Sequence, residues 1–185
     1  MTSNNRLRLQ TSIPGCVLRP WRAGDEAALV HHGDNPNVAR HLVAAFPRPY
    51  TLADAGSWIS LCEAAPVPLN LAIELDAAPI GGVGGRIGVG EMRRTMSFGY
   101  WLGETHWGRG IATAVVDAYV TYAFSLDDLQ GIEAHVFAPN VASARVLEKC
   151  GFAMEGRLAQ RVVIDGVCVD EFMYARLKNL VANPQ

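Results

Sequence analysis

The stretch Gly99-Tyr100-Trp101-Leu102-Gly103-Glu104-Thr105-His106-Trp107-Gly108-Arg109-Gly110-Ile111-Ala112 reads as a strand that enters a glycine-containing loop and then a helix. The first N–H groups of a helix have no acceptor within it, so several point outward together here. Backed by the positive end of the helix dipole, they form an anion site. Gly108 and Gly110 let an anion approach the backbone, and Arg109 adds a cation. Glycines also occur at strand-to-helix turns that bind nothing, so the loop needs support from elsewhere in the chain. No Lys-Ser or Lys-Thr follows it, which disfavours a nucleotide P-loop.

Working outward, the helix is expected from Gly110 to Ser125, with Ile111, Val115, Ala118, Tyr119 and Tyr122 on one side and Thr113, Asp117 and Thr121 on the other. Upstream, Leu69–Leu75, Ile80–Val89 and Thr95–Leu102 read as an antiparallel meander with a short turn at Gly90-Glu91. Before that, Leu7–Arg19 alternates like a strand interrupted by Pro14-Gly15. A helix after Gly24 carries Ala27, Leu29 and Val30 on a stripe, and another from Thr51 carries Ala55, Trp58, Ile59 and Cys62. Downstream, Ile132–Phe137 reads as a strand and Asn140 caps a helix that Gly151 ends. Arg161–Ile164 and Val167–Tyr174 flank an Asp165-Gly166 hairpin turn. The order is not the repeated βαβ of a Rossmann domain. It predicts a single α/β (α+β) domain with a mixed, mostly antiparallel sheet of about seven strands, flanked by helices.

Composition agrees. A chain of 185 residues, 50% hydrophobic and 18% charged, suits one globular core. We place the domain at residues 7–178, with 1–6 and 179–185 as flexible termini. A net charge of −2 gives no electrostatic case for nucleic acid or an anionic membrane, and no apolar run reaches membrane-spanning length. Cys16, Cys62, Cys150 and Cys168 form no CxxC pair and follow no signal segment, so they read as reduced, buried cysteines of a cytoplasmic protein. His31-His32 tempts as a metal pair. Adjacent helical side chains diverge by about 100°, however, and no third ligand is spaced for zinc, so no metal is assigned.

A second segment, Asn140-Val141-Ala142-Ser143-Ala144-Arg145-Val146-Leu147-Glu148-Lys149-Cys150-Gly151-Phe152, is by itself a well-made helix. Together with the first, however, GYWL, WGRGIAT, NVASARVLEKCGF and the terminal DEFMYARL resemble the GNAT acyltransferase superfamily, in its RimJ/RimL-like branch of ribosomal-protein N-terminal acetyltransferases. The resemblance runs from about Val17 to Leu177. It implies acetyl-CoA as cosubstrate, with the pyrophosphate on backbone N–H groups from Arg109 through Gly110, Ile111 and Ala112 to Thr113, beside Trp107 and Gly108. It also implies that the fourth strand, through Tyr100, Trp101 and Leu102, splays from the fifth, Glu133–Phe137, to admit the pantetheine. Asn140 would hydrogen-bond that arm and Ser143 would lie near the sulfur.

Departures from the family pattern bear on mechanism. Trp107 stands where many members have Gln or Arg, and Leu147 where others have the tyrosine that protonates the departing thiolate, which leaves Ser143 as the nearest substitute. Ser97 and Val162 occupy the positions of the usual general bases. Glu104 and His106 remain near the expected thioester end, although each also reads as an ordinary loop residue, and His135 as a packed strand residue. We therefore take Ser143 and Glu104 as catalytic candidates for direct attack of a neutral primary amine on the acetyl carbonyl. A backbone N–H near Trp101 or Leu102 would hold the oxyanion, and proximity would supply much of the rate. Leu42–Tyr50 and Ala159–Val169 are expected to wall an acceptor that is a peptide N-terminus or a small amine. A homodimer is compatible with this reading. The rivals are a noncatalytic acyl-CoA-binding module or regulator, and a purely structural domain that binds no CoA.

Overall fold

Pro14 and Gly15 decide how the chain enters its sheet. Proline lacks the N–H that a ladder needs, and Gly15 adopts φ +75°. The expected first strand is therefore split into β1 (Leu9–Gln10) and β2 (Cys16–Pro20). In the computed structural model, which describes residues 7–43, 46–126, 128–164 and 166–178, the sheet has eight strands rather than about seven. Residues 1–6 and 179–185, expected as flexible termini, lie outside the described residues, as does Asp165 of the expected hairpin turn.

The further elements are α1 (Glu26–Gly33), α2 (Pro36–Ala39), α3 (Leu52–Ala64), β3 (Asn70–Leu75), β4 (Ala78–Ile87), β5 (Thr95–Leu102), α4 (Ile111–Ser125), β6 (Gly131–Phe137), α5 (Val141–Lys149), β7 (Ala153–Ile164) and β8 (Val167–Leu177). The strand order is β1-β2-β3-β4-β5-β6-β8-β7. β5 and β6 are parallel, registered from Thr95 opposite Gly131 to Ser97 opposite Glu133. The pairs β1–β2, β2–β3, β3–β4, β6–β8 and β7–β8 are antiparallel. The result is the mixed, mostly antiparallel sheet that the pattern predicts.

Two compact units make up the chain, one running to Gly84 and resuming over Gly99–Tyr119, the other comprising Gly85–Phe98 and the chain from Val120 onward. In the first, Trp21, Leu29, Tyr50, Ala55, Ile59 and Ala72 form a buried cluster, with Phe46, Trp58, Cys62 and Trp101 packed against it. The α3 spacing delivers this directly. Thr51 opens the helix with a capping box, its hydroxyl accepting from the Asp54 N–H while the Asp54 carboxylate accepts from the Thr51 N–H. On α1 the buried stripe is shifted: Leu29 and Gly33 are inside whereas Ala27 is exposed. Gly33 is small because a Cβ there would stand 3.0 Å from the Phe46 ring.

Behind α1 lies a buried ionic network that no local pattern announces. Arg19 on β2 donates to both Asp25 oxygens at 2.7 and 2.9 Å and also bonds Glu74 on β3. Arg8 reaches the other Glu74 oxygen at 2.9 Å. Burial pushes the Glu74 carboxyl up, but the Arg19 and Arg8 guanidinium groups together outweigh it and hold the group below its usual range.

In the second unit, Asn140 caps α5 by accepting from the Ser143 N–H at 3.2 Å, and Gly151 follows the helix at φ +77°. β7 begins at Ala153, well before the expected Arg161. Register shifts at Met154/Gly156 and Leu158/Val162 interrupt its two-residue period and hide the strand from pattern reading. All four thiols are free. Cys16 and Cys150 are buried as expected, but Cys62 is half-buried and Cys168 exposed, because Cys168 sits opposite Val163 close to the β7–β8 turn.

Candidate functional site

The loop between β5 and α4 is built by its own backbone. Gly103 donates to Ile80 O at 2.8 Å, and it is a glycine because a Cβ would lie 2.3 Å from the His32 ring. After a short 3-10 turn over Glu104–His106, Trp107 folds the loop back, its indole N–H donating to Leu102 O at 2.9 Å. The Trp107 side chain thus has a structural task that the sequence did not reveal. Gly108 and Gly110 stand at φ +71° and +76°, and a Cβ at either would meet nothing within 4 Å. The left-handed backbone, not crowding, calls for glycine there. The first α4 bond runs from the Ala114 N–H to Gly110 O at 3.2 Å, and Gly110 has no side chain to cap the turn before it. Ile111 is buried and anchors the helix start, Ala112 and Thr113 are half-buried, and Arg109 is exposed.

Charged and titratable groups gather on this loop. Glu104 is exposed, and both its oxygens already accept hydrogen bonds, from the Asn35 amide at 2.9 Å and the Asn37 amide at 2.8 Å. It therefore ties the start of α2 to the loop. Arg109 Nη1 lies 3.4 Å from His106 Nδ1. Burial and the Arg109 charge lower the His106 pKa, while burial, His31 and His106 lower that of His32, which favours the neutral form of both imidazoles. The rings of His31 and His32 lie 4.7 Å apart, those of His32 and His106 5.4 Å. Among the described residues no His, Cys, Asp and Glu group is placed to hold a metal.

The same unit holds a cavity of about 510 Å³. Its walls include Trp21, Phe46, Tyr50, Trp58 and Trp101, with Asp54 at one side. Phe46 stacks on Tyr50 at 4.5 Å and meets Trp101 edge-on at 6.0 Å. Burial pushes the Tyr50 hydroxyl up to about 12, so it stays protonated. Trp101, assigned above to the cofactor, points its side chain to this cavity, whereas Leu102 is buried and Tyr100 half-buried. Of the expected acceptor walls, Val43, Phe46, Pro47 and Tyr50 line the cavity, and residues 44–45 lie outside the described residues. Ala159–Val169 is not among its lining residues. Trp21, Asp54 and Trp58 were missed, although Asp54, Ser57, Trp58 and Leu61 recur at helical spacing and mark a second face of α3.

The other candidates fall in the second unit. Asn140 Oδ1 is engaged as the α5 cap, and Ser143 is half-buried in the first turn. His135 is exposed rather than packed, 3.4 Å from Glu171. The β5–β6 register sets Glu133 beside Ser97, so a carboxylate shares the sheet face on which Ser97 lacks one.

Residues 16–153 match the family described as "Acetyltransferase (GNAT) domain". The chain belongs to the GNAT acetyltransferase family. A Bacillus subtilis relative named "Probable N-acetyltransferase YjcK" is 44% identical over 84 residues, which are 45% of this chain and 46% of the relative. The matched region thus spans about half the length of that curated relative. Among solved structures, Mycobacterium smegmatis RimJ in complex with CoA-disulfide is 26% identical with a TM-score of 0.78, covering 92% of this chain and 86% of that one. Vibrio cholerae spermidine N-acetyltransferase in complex with CoA and spermine shares the fold at TM-score 0.75 and 22% identity, over 89% of this chain and 96% of that one. In this GNAT chain the matched residues 16–153 include both the loop before α4 and the residues that line the cavity.

Proposed function

We propose that the protein is an acetyl-CoA-dependent N-acetyltransferase that passes the acetyl group directly to a primary amine seated in the aromatic cavity. The observation that carries this is the backbone of Gly108–Ile111 within a GNAT chain: two left-handed glycines in open space lead into the start of α4 beside Arg109. Main-chain N–H groups, a helix dipole and a cation suit a pyrophosphate. Asn140 and Ser143 would serve the pantetheine and sulfur, as the family resemblance implies.

The chain's own groups would contribute positioning and electrostatics. Trp107 holds the end of β5, where a backbone N–H of Trp101 or Leu102 would meet the developing oxyanion. Asp54 at the cavity wall would draw the amine in as its ammonium, and the apolar walls would then ease loss of the proton before attack, because desolvation penalises the charged form. With Glu104 already accepting two amide bonds, its carboxylate reads better as a loop tie than as the base. Glu133 is the alternative carboxylate, favoured by its register with Ser97. Free thiols are in keeping with a cytoplasmic setting, and no described helix is long and apolar enough to cross a membrane. Purified protein, acetyl-CoA and an amine panel, read by thiol release and product mass, test the proposal. Acetyl-CoA binding without release from any amine would favour the noncatalytic module instead.

A further inference from the structure

Building on the reading that the acceptor enters the aromatic cavity, we infer that the acceptor is a small primary amine on an aromatic body, of the arylalkylamine class. Three observations converge on this chemistry.

The first is the wall itself. Five aromatic side chains, Trp21, Phe46, Tyr50, Trp58 and Trp101, surround one space. Rings prefer offset or edge-on neighbours, and Phe46 already makes one contact of each kind with Tyr50 and Trp101. A flat apolar guest continues that packing, and an alkylammonium finds ring faces around it.

The second is how the space is kept open. Gly82 lets Trp21 and Trp101 lie against β4, since a Cβ there would stand 3.1 Å from the Trp21 ring and 3.0 Å from Trp101 Nε1. Gly99, also on the wall, would carry a Cβ into space with no heavy atom within 4 Å. The resulting 510 Å³ falls within the range of roughly 300–1,000 Å³ usual for small-molecule pockets. A bare short alkylamine would leave most of it wet.

The third is charge. Among the described lining residues Asp54 is the single charged side chain, and no Lys, Arg or His accompanies it. Its Oδ2 accepts from the Thr51 N–H and hydroxyl, and those bonds keep the carboxyl below its usual range. One carboxylate suits one ammonium. A polyamine would bring several charges into an aromatic space with one counter-charge, and an acidic peptide would meet repulsion without any cation.

Initial rates with the full chain at fixed acetyl-CoA, for tryptamine, phenethylamine, ethylamine, spermidine and a Ser-initiated peptide, decide the matter. Tryptamine or phenethylamine should lead ethylamine and spermidine by at least ~50-fold in kcat/KM, the order expected when a ring's apolar surface is buried. Gly99→Leu, which fills open space, should erase that lead. Asp54→Asn should raise KM for the cationic arylalkylamines by about fivefold, the upper range for an exposed ion pair. Turnover led by spermidine or the peptide, or a lead untouched by Gly99→Leu in a variant with a wild-type melt, overturns this inference alone. No turnover with any amine overturns it together with the acetyltransferase reading.

Discussion

The loop that starts α4 and the aromatic cavity lie in the same unit but are made from different material. The loop is main chain: Gly108, Gly110 and the Trp107 indole bond set its path within a few consecutive residues, and Gly103 and Glu104 tie it to Ile80, Asn35 and Asn37. The cavity is side chain, gathered from Trp21, Phe46, Tyr50, Trp58 and Trp101 across most of the unit's length. Backbone sites tolerate exchange of the side chains around them, whereas side-chain sites change character with each substitution. One family can thus keep a common acyl donor while its acceptors diverge. Substitutions that strike one region and spare the other test this contrast.

The largest expected effect is on the frame of the cavity. Arg19→Met removes the cation between Asp25 and Glu74, and all three residues are buried. Leaving buried carboxylates with fewer partners costs about 3–5 kcal/mol, to be read as a fall in the denaturant midpoint. The pH dependence has a definite sign. Because the folded Glu74 pKa lies below its ordinary 4.5, its contribution to stability is fully present above about pH 4.5 and is lost as pH falls through the depressed value. Arg19→Met should weaken that acid-side loss. An unchanged midpoint would show that the network does not hold α1 in place.

The next effect belongs to the loop. Ala112→Glu puts a carboxylate into the first turn of α4, where the helix dipole welcomes it, so the melt should hold or rise slightly. The same carboxylate would occupy the N–H groups proposed for the pyrophosphate. Losing two charge-assisted bonds of about 1.5–3 kcal/mol each weakens acetyl-CoA binding by at least ~100-fold, measurable by calorimetry. Trp58→Ala in the cavity should leave that affinity nearly unchanged. Equal losses in both variants would dissolve the distinction between the regions. Gly110→Val is a poorer probe, because φ +76° makes any branched residue strained in the free protein as well.

The contrast also explains what was legible in the sequence. The span of β5, the helical face of α3, the Asn140 cap and the loop before α4 are all written in consecutive residues, so local rules recover them. β7 was underread because its bulges break the alternation. The Arg19–Glu74 bond joins residues 55 apart in sequence, and no local period reports it. The cavity suffers most. Trp21 and Trp58 each look like ordinary core residues until β4 glycines and α3 bring them around one space. Glu104 is legible in another way: its position suggested chemistry, and its two amide partners, which no local pattern reports, give it a structural task as well.

The smallest effect is expected at Glu104 itself. Glu104→Gln keeps one acceptor oxygen for Asn35 or Asn37 but turns an NH2 group toward the other amide, so one exposed hydrogen bond is lost. A neutral bond of that kind contributes about 0.5–1.5 kcal/mol, and at an exposed site water replaces part of it. Stability should therefore fall by about 1 kcal/mol or less. Turnover should fall less than ~100-fold, the lower bound usual for a dedicated acid or base. His106 should matter as little, since its Nδ1 faces the Arg109 guanidinium at 3.4 Å and is not free to take a proton from the amine. With neither group acting as base, the rate at saturating acetyl-CoA should climb with pH toward the acceptor amine's own pKa. The profile of Glu104→Gln should then run parallel to that of the wild type. A bell centred near pH 7 that Glu104→Gln flattens would reverse the assignment, making the loop carboxylate the base and drawing proton transfer into the backbone-built region. Flattening by Glu133→Gln instead would move the base to β6 and leave the loop as a site for the donor alone.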